Sequence, residues 1–255
     1  MINFIKILIL GIVEGITEFL PVSSTGHLIL GYKILGIPES DFIKSFVIII
    51  QLGAILSVLF LYWKKFFCDK ETLKKIAIAF FPTGLVGICI YKIAKHYFLG
   101  NQMLVAFSLI IGGILILIFE SKYKNQDGEI KEISQMTYKQ AFLVGVFQSL
   151  CVIPGVSRSA STIIGGRLLG LSKKTIVEFS FLLAVPIMFA ATGLDILNTN
   201  FDANQIQILA LGFITAFISA LAGIKFFLEF IKKQSFSFFG IYRIILGLAF
   251  ILYLT

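Results

Sequence analysis

Gly11-Ile12-Val13-Glu14-Gly15-Ile16-Thr17-Glu18-Phe19-Leu20-Pro21-Val22-Ser23-Ser24-Thr25-Gly26-His27 returns later in the chain as Gly145-Val146-Phe147-Gln148 through Pro154-Gly155-Val156-Ser157-Arg158-Ser159. In both copies a short apolar segment carrying a polar side chain stops at a proline and gives way to small hydroxyl residues. Acids, serines, a histidine and an arginine cost several kcal/mol each to bury in such surroundings. Their retention points to chemistry or transport rather than to packing.

Composition sets the surroundings. The chain of 255 residues is 58% hydrophobic and 14% charged, with 27 Phe and a mean hydropathy of +0.95. These values exclude a soluble globular domain and indicate a polytopic membrane protein. A membrane β-barrel would alternate apolar and polar residues in segments of about ten, whereas Phe46 to Trp63 is apolar all round. The expected class is therefore all-α integral membrane. Met1 to Leu20 resembles a secretory signal, but Glu14 and Glu18 interrupt its apolar part and no small-x-small site precedes Pro21, so the segment is expected to remain in the mature protein. Cys68, Cys89 and Cys151 are odd in number and widely spaced. They indicate neither disulfides nor zinc and are expected as core filler.

Six segments are long enough, with tilt and frayed ends, to cross a hydrocarbon core of about 30 Å: Ser45–Trp63, Ile76–Tyr91, Met103–Phe119, Thr175–Leu197, Ile206–Ile231 and Phe238–Leu254. Gln140–Ile153 reaches only about 21 Å at about 1.5 Å per residue, and Ser161–Leu171 less. Each pair around a proline break is expected to form a re-entrant hairpin, as are Phe4–Leu20 and Leu28–Ile37. Three crossings after each hairpin turn the second half over relative to the first, which is an inverted repeat. The expected division is 1–120, a polar linker over 121–136, and 137–255, all within one membrane domain.

Positive charge orients the spans. One side receives Lys64, Lys65, Lys70, Lys74, Lys75, Lys122, Lys124, Lys131, Lys139, Lys173, Lys174, Lys232 and Lys233. The other receives Lys6, Lys33, Lys44, Lys92 and Lys95. The first side is expected to be cytoplasmic, with both termini outside. The net charge of +8 then reflects orientation and anionic lipid, and no nucleic-acid partner is expected.

Glu14 and Glu18 share a helix face. Two carboxylates in low dielectric repel unless a proton or cation joins them, and oxygen ligation favours Mg²⁺ or Ca²⁺ over zinc. In the second hairpin, Ser157, Ser159 or Ser161 can cap the following helix, whose N-terminus offers unpaired N–H groups to a phosphate. Arg158 adds a permanently charged, bidentate donor suited to the same anion; the alternative is a plain helix break in which Arg158 bonds to carbonyls or to a hairpin acid. Ser23 or Ser24 is a nucleophile candidate. His27 lies three residues beyond Ser24, within hydrogen-bond reach on a helical turn, and is an acid or base candidate. His96 is expected in a surface loop without a role. Glu178, Arg243 and Gln51 are further polar residues in apolar segments, expected to support the site or to pair with each other. Gly112-Gly113 permits close helix contacts, within the chain or in a homodimer.

Glu14-Gly15-Ile16-Thr17-Glu18, Pro21-Val22-Ser23-Ser24-Thr25-Gly26-His27 and Pro154-Gly155-Val156-Ser157-Arg158-Ser159-Ala160-Ser161-Thr162 resemble the signature regions of bacterial undecaprenyl pyrophosphate phosphatases of the bacitracin-resistance type. The likeness extends over essentially the whole chain, including Gln51-Leu52-Gly53 and Glu178 to Pro186. It implies an inner-membrane enzyme that hydrolyses undecaprenyl diphosphate to the monophosphate and inorganic phosphate, recycling the lipid carrier of peptidoglycan and other envelope glycans. It also implies a divalent metal and a site open to the periplasm. By resemblance, Glu14 and Glu18 would hold the metal or activate water and Arg158 would bind the diphosphate. Ser24 or His27 would act in phosphoryl transfer, with Ser23, Ser157, Ser159 and Thr162 around the phosphate. The nucleophile stays open between Ser24 and water. Broken helices in inverted repeats also characterise transporters, so a polyprenyl-phosphate flippase or small-anion carrier is the competing expectation.

Overall fold

The structure, a computed structural model, describes residues 3–93, 97–98, 101–123 and 127–254. Lys95, His96 and Lys124 lie outside these residues, as does the side chain of Lys92.

The chain forms ten α-helices among the described residues: α1 (Phe4–Thr17), α2 (Ser24–Ile34), α3 (Asp41–Cys68), α4 (Lys70–Ile93), α5 (Gln102–Tyr123), α6 (Tyr138–Ser149), α7 (Arg158–Leu168), α8 (Lys173–Leu197), α9 (Ala203–Lys233) and α10 (Ser237–Leu254). The order short, short, long, long, long occurs twice. Six helices, α3, α4, α5, α8, α9 and α10, are long and apolar enough to cross a membrane, which makes the protein an all-α, multi-pass membrane protein. At 28 and 31 residues, α3 and α9 are longer than a hydrocarbon core of about 30 Å requires, and so tilt or project beyond it. Four short helices, α1, α2, α6 and α7, form the two helix-break-helix units.

Each short first helix packs on the fourth helix of the other half: α1 lies on α9, and α6 lies on α4. Likewise α3 packs on α9 and α8 on α4, while α3 meets α8 and α5 meets α10. Neither half encloses its own hairpin. Without a hydrophobic drive between helices in lipid, such crossings depend on close van der Waals contact. Gly145 of α6 lies against the backbone of Ala79, and Gly53 of α3 against the carbonyl of Phe213, so close that a Cβ at either position would collide with main chain.

The segment joining the halves is tied down. Lys75 donates to the carbonyls of Ile133 and Ser134 at 2.8 Å each, and Ile130 bridges to Leu171. Helices α2 and α7 begin earlier than the hydrophobic pattern indicates, at Ser24 and Arg158, because Ser23 and Ser157 cap them. One expectation is corrected: Cys68 and Cys89 are exposed and Cys151 is half-buried, so none is core filler. The crossing helices carry apolar residues around their whole circumference, and at these two positions the outward face falls on a thiol.

Gly145→Leu is expected to push α4 from α6 and destabilise the protein by about 1–3 kcal/mol, whereas Gly87→Ala, where a Cβ meets open space, should melt no lower than the parent. Thermal unfolding in detergent checks both, and equal melting of parent and Gly145→Leu would remove the close crossing.

Candidate functional site

The two breaks are built alike. Ser23 and Ser157 are the non-glycine residues with positive φ among those described, at 68° and 75°. Each is the N-cap of the next helix, its hydroxyl accepting a hydrogen bond at 3.3 Å from the N–H of Gly26 or Ala160. A left-handed conformation costs a serine about 1–3 kcal/mol and persists only where its surroundings enforce it. The enforcing group is Arg243 of α10, which has no surface exposure. Its guanidinium donates to Pro21 O at 3.2 Å in the first break, and to Gly155 O at 2.7 Å and Val156 O at 3.1 Å in the second. It also donates to Ser108 O at 3.1 Å and Leu109 O at 3.4 Å on α5, where Gly112 leaves room for it.

Thus held, the breaks face each other across a cavity of about 100 Å³ lined by residues that include Glu18, Ser23, Ser24, Gln51, Ser157 and Arg158. Glu18 is its centre. Its Oε1 accepts from Arg158 Nη2 at 2.8 Å, and its Oε2 accepts from Ser24 Oγ at 2.5 Å. Arg158 also donates through Nη1 to the carbonyl and hydroxyl of Ser180 at 3.0 and 3.2 Å, and its Nε–H has no acceptor. Gln51 donates to Thr25 Oγ1 at 3.0 Å. An ion pair this buried survives only because further hydrogen bonds satisfy both partners.

The other expected residues fall around this centre. Glu14 is fully buried and is not among the residues lining the cavity, and no donor reaches either of its carboxylate oxygens among the described residues. Ser159 donates to Leu20 O at 2.8 Å, tying one break to the other. Thr162 bonds to its own helix and, at 2.6 Å, to Ser180 Oγ, so it faces α8 rather than the cavity. The hydrogen bond between Ser24 and His27 suggested by their spacing is not made. His27 Nδ1 meets Ser23 O at 2.8 Å and Nε2 meets Tyr242 Oη at 2.7 Å, with the two rings stacked. Arg243 and Glu178 do not pair: Glu178 accepts instead from Lys65 at 2.7 Å. Ser180 and Tyr242 escaped sequence reasoning, since each meets its partner from a remote helix and neither lies in a broken segment.

No group of three or more His, Cys, Asp or Glu side chains comes together to hold a metal among the described residues. The orphaned oxygens of Glu14, one helical turn from Glu18, are the place where a cation or proton is wanted. Mg²⁺ is commonly held by one or two carboxylates completed by substrate phosphates and water, and this donor set fits that pattern.

The sequence model of the family described as bacitracin resistance protein BacA matches residues 7–249. The chain is 53% identical over 244 residues to a protein of Aquifex aeolicus named undecaprenyl-diphosphatase, covering 95% of each chain. It is 52% identical over 251 residues to a protein of the same name from a Sulfurihydrogenibium species, covering 98% of each. A Campylobacter jejuni protein, again so named, is 51% identical over 246 residues, 95% of this chain and 91% of that one.

Arg243→Met should take this donor from the carbonyls of Pro21, Gly155 and Val156, lower stability by about 3–5 kcal/mol, and raise amide exchange at residues 20–24 and 155–158. Exchange unchanged at both breaks would show that Arg243 does not hold them.

Proposed function

The chain belongs to the family described as bacitracin resistance protein BacA, and from that premise we propose that it hydrolyses undecaprenyl diphosphate to undecaprenyl phosphate and inorganic phosphate, recycling the lipid carrier of peptidoglycan and envelope glycans. The observation that carries this reading is Glu18, bonded on one side to a serine hydroxyl and on the other to a buried guanidinium within one polar cavity. An anion carrier needs the guanidinium. It has no use for a hydroxyl set against a carboxylate.

Phosphoryl transfer requires positioning and neutralisation of spreading negative charge more than covalent assistance. Arg158 offers the terminal phosphate an Nε–H without an acceptor and, as Glu18 yields, its Nη2. Ser24 Oγ delivers its oxygen to the terminal phosphorus while Glu18 Oε2 takes its proton, the pairing of nucleophile and base their hydrogen bond presents. The bond from phosphorus to the bridging oxygen breaks, and the lipid leaves as its monophosphate. Water then attacks the phosphorus, the bond from phosphorus to Ser24 Oγ breaks, and Glu18 returns the proton to Ser24 as inorganic phosphate leaves. His27, held by Ser23 and Tyr242, fixes the first break rather than moving Ser24's proton.

Glu14, Glu18 and the diphosphate together carry more negative charge than Arg158 balances in low dielectric. Mg²⁺ or Ca²⁺ held by the oxygens of Glu14 with Glu18 would supply the missing positive charge and polarise the phosphoryl oxygens. The repeated five-helix order and the reciprocal packing support an inverted repeat of 1–120 and 137–255 about the 121–136 linker. The lysine distribution supports an inner-membrane orientation with the polar cavity reached from the periplasm.

Phosphate release from undecaprenyl diphosphate by purified protein in detergent tests this. Arg158→Ala and Glu18→Gln are expected to lose about 10²–10³ of kcat, with Ser24→Ala comparably impaired, and EDTA should stop wild type until Mg²⁺ or Ca²⁺ is returned. Well-folded wild type that releases no phosphate with any divalent metal would overturn the enzyme and favour the carrier. Full activity of Ser24→Ala would move the attack to water.

A further inference from the structure

A second cavity, of about 560 Å³, follows the C-terminal halves of α4 and α8. Gln51, Cys151 and Met188 line both it and the polar cavity, so the two share a wall. Its remaining lining is apolar apart from Thr83, whose hydroxyl is already engaged by Gly145 O and Gln148. At the far end Ile88 and Leu197 are 69% and 83% exposed, which opens the groove to surrounding lipid. Its floor is bare where Gly87 and Gly193 stand: a Cβ at either position meets no atom within 4 Å.

We infer that this groove between α4 and α8 receives the first isoprene units of the lipid substrate and leads them from the phosphate cavity into the bilayer. The inference rests on the proposed diphosphatase activity. A cavity of about 560 Å³ falls in the range of about 300–1,000 Å³ that encloses a drug-sized ligand, so it holds the start of a polyprenyl chain and not the whole. A membrane phospholipid could lie along the same face, but only a chain whose head is held in the polar cavity must pass Gln51, Cys151 and Met188. Moving hydrocarbon from bilayer to groove gains little free energy, since both sides are equally apolar. The groove therefore acts by alignment: it fixes the direction of the chain and with it the bond from phosphorus to the bridging oxygen.

Gly193→Leu and Gly87→Leu would set a side chain into the groove from positions where a Cβ meets no atom within 4 Å. Each variant is compared with wild type on undecaprenyl diphosphate and on the shortest prenyl diphosphate that wild type turns over. The ratio of kcat/KM, long chain over short, is expected to fall at least about tenfold in protein that melts no lower than wild type. An unchanged ratio in such protein would overturn the inference. A second measurement needs neither variant nor turnover: a long-chain diphosphate analogue bearing a photoreactive group on its first isoprene unit should label wild type within residues 84–88 and 187–197. Labelling confined to other helices would equally overturn it. Loss of the groove proposal is distinguishable from loss of the diphosphatase, since wild-type hydrolysis is read separately in the first experiment.

Discussion

Arg243 holds a permanent charge with no access to solvent, and all five of its N–H donors go to main-chain carbonyls, three of them at the two helix breaks and two on α5. A guanidinium taken from water into a membrane interior costs several kcal/mol unless such acceptors replace its hydration. The three carbonyls at the breaks, of Pro21, Gly155 and Val156, would cost a comparable amount alone. Each defect resolves the other. Because one side chain satisfies both breaks, their separation and orientation are set together, and the left-handed Ser23 and Ser157 are held against their own preference. The polar cavity follows from that clamp.

Within the cavity the clamp brings Glu18 and Arg158, 140 positions apart, into a pair at 2.8 Å. A resting ion pair of this kind resolves a problem that an empty anion site would create, since an isolated guanidinium or carboxylate here would be strongly unfavourable. It also limits binding, because an anion must take Arg158 partly from Glu18. A diphosphate with an accompanying cation can do so without leaving Glu18 uncompensated.

Much of the fold was legible in the chain. The crossings followed from apolar length, and the breaks from Pro21 and Pro154 with hydroxyl residues after them. Their hydrogen-bond potential also marked Glu18, Ser24 and Arg158 before any contact was known. Other features were beyond local pattern. His27 faces Tyr242, 215 positions away, rather than Ser24, because the helical turn that puts residues three apart on one face leaves the side chain free to choose its partner. Ser180 supports Arg158 from an apolar helix in which one serine raises no signal. Positive φ at a serine leaves no trace in sequence, since glycine or asparagine would announce such a turn and serine does not.

The two halves repeat one order of helices and one form of break and are unlike in charge. Where the first half has Glu14 the second has Gln148, whose amide donates at 3.0 Å to Thr83 Oγ1, itself bonded to Gly145 O. No donor reaches either carboxylate oxygen of Glu14 among the described residues. A second glutamate at the Gln148 position would add another uncompensated charge with Arg158 as the only cation in the cavity, at an energetic cost that grows as the dielectric falls. Neutralising one half while leaving the other charged confines the unpartnered carboxylate to the first half, one helical turn from Glu18. Two breaks of one form thereby yield a directional site, with the acid and hydroxyl supplied by the first break and the guanidinium by the second.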